Sequence, residues 1–126
     1  MLKDMIEIEP LELHFPYEHN KAITRAIELI NDTDDCFAFR ITTLSSLLYL
    51  TQPSKNIVPP RSKCSVNITL QALEMAPEQC NYGASQFYVE STRVDESLIA
   101  EDITEDMFDE KPGKVVDKVD LIGVLE

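Results

Sequence analysis

The sequence predicts an all-β fold, an antiparallel β-sandwich. Two observations carry this. Residues 64–71 alternate cleanly, with Val66, Ile68 and Leu70 on one face and Ser65, Asn67, Thr69 and Gln71 on the other, the period of two that marks a half-buried strand. Further short apolar segments recur at turn-bounded intervals along a chain of 126 residues, the pattern of two packed antiparallel sheets. A chain of this size suits one domain, which buries roughly two thirds of its unfolded surface without staples.

The elements follow in order. Ile6, Ile8, Leu11, Leu13 and Phe15 predict a first strand, but Pro10 interrupts it. Such a proline marks an edge strand, a bulge or a switch between sheets. Residues 16–20 read as a turn. Residues 21–30 suit a helical period through Ala22, Ile23, Ala26, Ile27 and Ile30, yet the neighbouring strands and the Asn31-Asp32-Thr33-Asp34-Asp35 turn favour a strand. Phe37, Phe39 and Ile41 alternate with Cys36, Ala38 and Arg40 in a strongly apolar strand, and residues 47–51 form a short one. Residues 53–62 read as a rigid loop, with Pro59-Pro60 extended and short of donors. Residues 75–85 read as a second loop, punctuated by Pro77, Asn81 and Gly83. Phe87 and Val89 then alternate with Gln86, Tyr88 and Glu90. Asp102-Ile103-Thr104-Glu105 matches a capping-box start to one short helix over residues 104–108. Lys111-Pro112-Gly113 stops it, and residues 115–125 make the last strand.

Composition narrows the function. With 11 basic and 23 acidic residues the net charge is −12, which argues against nucleic acid or an anionic membrane as a partner. No apolar run approaches a membrane span, the tightest cluster being Leu47-Leu48-Tyr49-Leu50, so no direct membrane insertion is expected. Cys36, Cys64 and Cys80 are widely spaced and include no C-x-x-C pair, so buried, inert thiols in a reducing compartment are expected. His14 and His19 are the only histidines and lack metal-ligand spacing. No nucleophile elbow, phosphate-cradling glycine loop or calcium loop is present. Neither an enzyme nor a cofactor nor a metal is expected.

Several ordered landmarks resemble the major sperm protein domain of the VAMP-associated protein family, in its plant form. Ile8-Glu9-Pro10-Leu11-Glu12-Leu13 with Phe15-Pro16 is similar to the family's opening. Phe39-Arg40-Ile41-Thr42-Thr43 falls on its F-K-V-K-T-T strand, and Ile57-Val58-Pro59-Pro60-Arg61-Ser62 on its I-V-x-P-R-S loop. Asp102-Ile103-Thr104 with Met107-Phe108 matches D-I-T-x-x-M-F. The similarity runs from about residue 5 to the end. It implies one immunoglobulin-like sandwich of about seven strands and no catalysis. It also implies an adaptor that binds short peptides bearing two phenylalanines in an acidic tract, on the cytosolic face of the endoplasmic reticulum. Carried over by position, the peptide-binding residues are Arg40, Ile41, Thr42, Thr43, Gln86 and Tyr88. Self-association into a homodimer or filament is the alternative the family offers.

The chain departs from the family where charge matters. Arg40 keeps the first lysine's charge, Thr42 and Gln86 lose theirs, and Asp120 reverses one. Ile41 replaces valine, Thr43 keeps its hydroxyl, and Tyr88 stands where methionine or leucine is usual. Each lost exposed pair is worth roughly 0.2–1 kcal/mol. The expectation is an apolar notch with a weakened positive rim, and so a weakened preference for acidic motifs.

Overall fold

The computed structural model describes residues 5–43, 48–72 and 84–125. Among these, nine strands form two packed sheets: β1 Glu7–Glu9, β2 Glu12–Phe15, β3 Ile23–Asn31, β4 Cys36–Thr43, β5 Tyr49–Gln52, β6 Lys55–Val58, β7 Ser62–Leu70, β8 Ala84–Val94 and β9 Val116–Leu125. One sheet has the order β1-β3-β7-β5 and the other β2-β9-β8-β4-β6. The fold is the predicted all-β sandwich, with more strands than about seven for two physical reasons. Pro10 lacks an amide hydrogen and splits the first run. β1 pairs with β3 in one sheet, while β2 crosses to pair with β9 in the other. The interruption is thus a switch between sheets. The second reason is β6, a four-residue strand inside the stretch read as a loop, paired with β4 from Phe37↔Val58 to Arg40↔Lys55. All pairings are antiparallel except β2 with β9, which is parallel.

The strand favoured over residues 21–30 by its neighbours and the alternation along 64–71 meet in the β3·β7 ladder, from Ile23↔Leu70 to Asn31↔Ser62. Its inward residues Ile27, Leu29, Val66, Ile68 and Leu70 have no exposed surface, nor do Phe15, Phe39, Phe87 and Leu121 of the facing sheet. Tyr49 bridges the layers, its ring edge-on to Phe15 at 5.1 Å and to Phe87 at 5.0 Å. Gly123 makes room for this cluster. A Cβ there would lie 2.8 Å from Phe87 Cε2, so a side chain at this point of β9 would displace the ring.

The acidic turn after β3 is organised by Asn31, which is fully buried. Its Nδ2 donates to the carbonyls of Asp35, Val58 and Pro59 at 2.8, 3.1 and 2.9 Å. Its Oδ1 accepts from the Thr33 amide at 3.0 Å and the Thr33 hydroxyl at 2.7 Å. One side chain therefore ties the β3–β4 turn to the strand end of β6, and it satisfies buried carbonyls that would otherwise be costly.

Two further expectations need correction. β8 begins at Ala84, so the loop expected over residues 75–85 is shorter at its end; its remainder, residues 75–83, lies outside the described residues. The expected short helix is two 3₁₀ turns, Ala100–Asp102 and Glu105–Phe108. Thr104 makes no capping bond to the backbone and donates its hydroxyl to the Asp106 carboxylate. What fixes the segment is packing: Ile103 and Phe108 are buried against Ala38, with Ile57, Leu98 and Val116 around them. Cys36 is buried, Cys64 is half-buried, and both are free. Burial pushes the Cys64 thiol upward, away from the reactive thiolate. Cys80 lies outside the described residues.

Candidate functional site

The outward face of the five-stranded sheet is built row by row from register. Arg40 on β4 faces Glu90 on β8, which faces Lys118 on β9; on the other side Arg40 faces Lys55 on β6. The next row is Thr42, Tyr88 and Asp120. The third is Gln86 and Ile122, followed by Glu12 on β2. Alternation turns these side chains away from the core. Arg40, Thr42, Gln86 and Tyr88, which lie 48 positions apart at their extremes, thus meet on one surface.

The surface is structured. The Arg40 Nε donates to Glu90 Oε1 at 2.9 Å, and the two side chains are only 25% and 15% exposed. The guanidinium also lies over the Phe108 ring, 4.9 Å from its centroid. The Lys118 ammonium lies 4.4 Å from the centroid of the Tyr88 ring. The Tyr88 hydroxyl is 3.0 Å from Gln86 Oε1, to which it donates. Lys55 Nζ donates to the Ile103 carbonyl at 3.1 Å. Beside Arg40 a groove of about 280 Å³ opens between β4, β6 and the 3₁₀ segment, with Ile103 and Phe108 as apolar wall and Arg40 and Lys55 as cations.

Two expected site residues are placed differently. Ile41 is 5% exposed and belongs to the inter-sheet core, although it borders the groove. It follows Arg40 directly, so alternation turns it inward. Thr43, at the end of β4, uses its hydroxyl to donate to the Gln86 carbonyl at 2.9 Å, which fastens β4 to β8. Conversely, Lys55, Glu90, Phe108 and Lys118 were not anticipated. Two of them carried a signal: Glu90 follows Tyr88, and Lys118 precedes Asp120, by two residues, one strand period on the same face.

Among the described residues no group of three or more His, Cys, Asp or Glu side chains is placed to hold a metal. No helix there is long and apolar enough to cross a membrane.

Two sheets around one core, with a rowed outward face and a groove beside it, define an immunoglobulin-like β-sandwich. Solved structures share this fold: WR4, an MSP family member of Caenorhabditis elegans, superimposes with a TM-score of 0.71 at 14% identity, covering 98% of this chain and 100% of that one. The ASH/PapD-like domain of human CEP192 gives 0.60 at 14% identity, covering 100% and 90%. The chain belongs to the MSP (major sperm protein) domain family, whose model matches residues 5–113. Its relatives include Vesicle-associated protein 3-1 of Arabidopsis thaliana, 30% identical over 118 residues that cover 94% of this chain and 78% of the relative. Vesicle-associated protein 1-1 of the same plant is 33% identical over 118 residues, covering 92% of this chain and 45% of the relative. The chain therefore spans about half the length of some relatives and more of others.

Proposed function

We propose that this chain is a non-enzymatic protein-interaction adaptor of the vesicle-associated type, one binding domain from about residue 5 onward. Its outward five-stranded face takes short phenylalanine-containing peptide segments, and its preference for acidic ones is weakened. The observation that carries the reading is the convergence of Arg40, Thr42, Gln86 and Tyr88 on that face, beside a groove walled by Ile103 and Phe108. An aromatic side chain gains most where an apolar wall lies within a polar surround. Cations on the same face steer and hold neighbouring carboxylates, but here Asp120 and Glu105 stand among them. Kinship with vesicle-associated proteins supports work at the cytosolic face of the endoplasmic reticulum, on partners that carry such motifs.

The test is titration calorimetry with a two-phenylalanine peptide. Binding is expected, and Tyr88→Asp is expected to weaken it by about thirtyfold, the scale of an interface hot spot, with an unchanged melting temperature. Unchanged affinity places the site elsewhere. Self-association through a sheet edge is the alternative, favoured by light scattering that shows a concentration-dependent dimer without peptide affinity.

A further inference from the structure

The row Lys55–Arg40–Glu90–Lys118 places one carboxylate between cations. Glu90 is the less exposed member of its ion pair, at 15%, and its contact with Arg40 is 2.9 Å. Arg40 is held from a second side by the Phe108 ring at 4.9 Å, so it is not a mobile surface cation. Lys118, Glu90's other cross-strand neighbour, is drawn over Tyr88. The cations that remain on this face are thus engaged within the chain before any partner arrives.

Resting on the peptide-binding reading of this face, we infer that Glu90 is a built-in carboxylate ligand that sets partner specificity. It occupies the place where a partner's acid would meet the basic row. It thereby selects segments whose aromatic anchor is flanked by uncharged residues. The physical reason is competition. An incoming carboxylate meets a like charge at Glu90 and gains Arg40 only by displacing a partner that is already hydrogen-bonded and partly dehydrated. Charges so placed are screened weakly by salt, and separating them is costly. Asp120 and Glu105 extend the same repulsion to the next row and to the groove rim. An uncharged segment reaches Tyr88 and the Phe108 wall without that opposition. Discrimination then arises from a repulsive element on the protein as much as from an attractive one.

The experiment titrates two peptides into the wild-type chain and into Glu90→Gln. Both peptides carry two phenylalanines; one has aspartate and glutamate flanks, the other asparagine and glutamine at the same positions. Glutamine keeps one acceptor oxygen for Arg40 and removes the charge. The wild type is expected to bind the neutral peptide at least as tightly as the acidic one. Glu90→Gln is expected to shift the acidic-to-neutral affinity ratio about tenfold toward the acidic peptide. A folded Glu90→Gln protein with an unchanged ratio overturns the inference. Should that variant melt early, the wild type supplies the second measurement. Acidic-peptide affinity that holds or rises from low to high salt supports the inference, and a steep loss overturns it. If neither peptide binds either protein, the face reading itself falls; binding with an unchanged ratio removes the inference alone.

Discussion

The two sheets each turn one face to solvent, and the faces are built by the same alternation to different ends. On the four-stranded sheet the outward residues of β3 and β7 include Thr24, Ala26, Glu28, Lys63, Ser65 and Asn67. Its cross-links are a hydroxyl pair, Thr24 to Thr69 at 2.8 Å, and a loose ion pair, Lys63 to Glu28 at 3.9 Å, with side chains 65% and 50% exposed. On the five-stranded sheet the ion pair is 2.9 Å and at most 25% exposed. The difference comes from what lies above the sheet. The 3₁₀ segment lays Phe108 and Ile103 over β4, excludes water from one side of Arg40, and leaves a groove at its margin. A covering element that dries part of a sheet face strengthens the charge contacts beneath it, because charges screened by water are worth about 0–1 kcal/mol.

The comparison is broken most severely by removing the cover. Phe108→Ala deletes a ring that is 4% exposed. A loss of about 3 kcal/mol is expected, at the low end for buried phenylalanine because the satellite cluster is small. Chemical denaturation measures it. A loss below about 1 kcal/mol would mean that the 3₁₀ segment is not anchored by this ring, and the contrast between the faces would lose its cause.

A milder change sharpens the comparison. Thr42→Lys with Gln86→Lys adds cations at two exposed positions, one in the row of Tyr88 and one in the next. Affinity for an acidic two-phenylalanine peptide is expected to rise about tenfold, with thermal stability nearly unchanged. Calorimetry that shows no gain would count against this face as the binding surface.

How much of this was legible beforehand follows from what alternation encodes. Period two gives which side chains share a face, so the core face of β7 and the company of Arg40 with Thr42, and of Gln86 with Tyr88, are readable; residues 21–30 fit a helical period as well, and only their neighbours favour the strand. The same rule turns Ile41 inward, whereas the family resemblance counts it among the binding residues. Alternation does not give partners across strands. The contacts of Glu90 with Arg40 and Lys118 depend on the register of β4, β8 and β9, and Phe108 reaches Arg40 only through the 3₁₀ segment. β6 was hidden because Lys-Asn-Ile-Val is too short to alternate visibly and lies among prolines; pairing with β4 makes it a strand. The parallel match of β2 with β9 is likewise tertiary, although Pro10 announced that the run must break.

The smallest expected effect is also the control that separates a local site from a global field. With a net charge of −12, any added lysine lowers the general repulsion of an acidic peptide. Ser65→Lys with Asn67→Lys adds the same two charges as the Thr42/Gln86 pair, on exposed outward positions of β7. Sheets stack about 10 Å apart, and outward side chains of opposite sheets lie farther apart than that. The Debye length at physiological salt is about 8 Å. Charge on the four-stranded face is therefore largely screened from a ligand on the five-stranded one. The expected change in peptide affinity is less than twofold, and the change in stability is within about 0.5 kcal/mol, as for surface substitutions that touch nothing buried. Calorimetry run in parallel on the two double variants decides between the accounts. Equal gains would show that acidic peptides respond to the charge of the whole domain, and the five-stranded face would then have no claim to be the site on electrostatic grounds. A gain confined to Thr42→Lys with Gln86→Lys would tie the response to the rows around Tyr88.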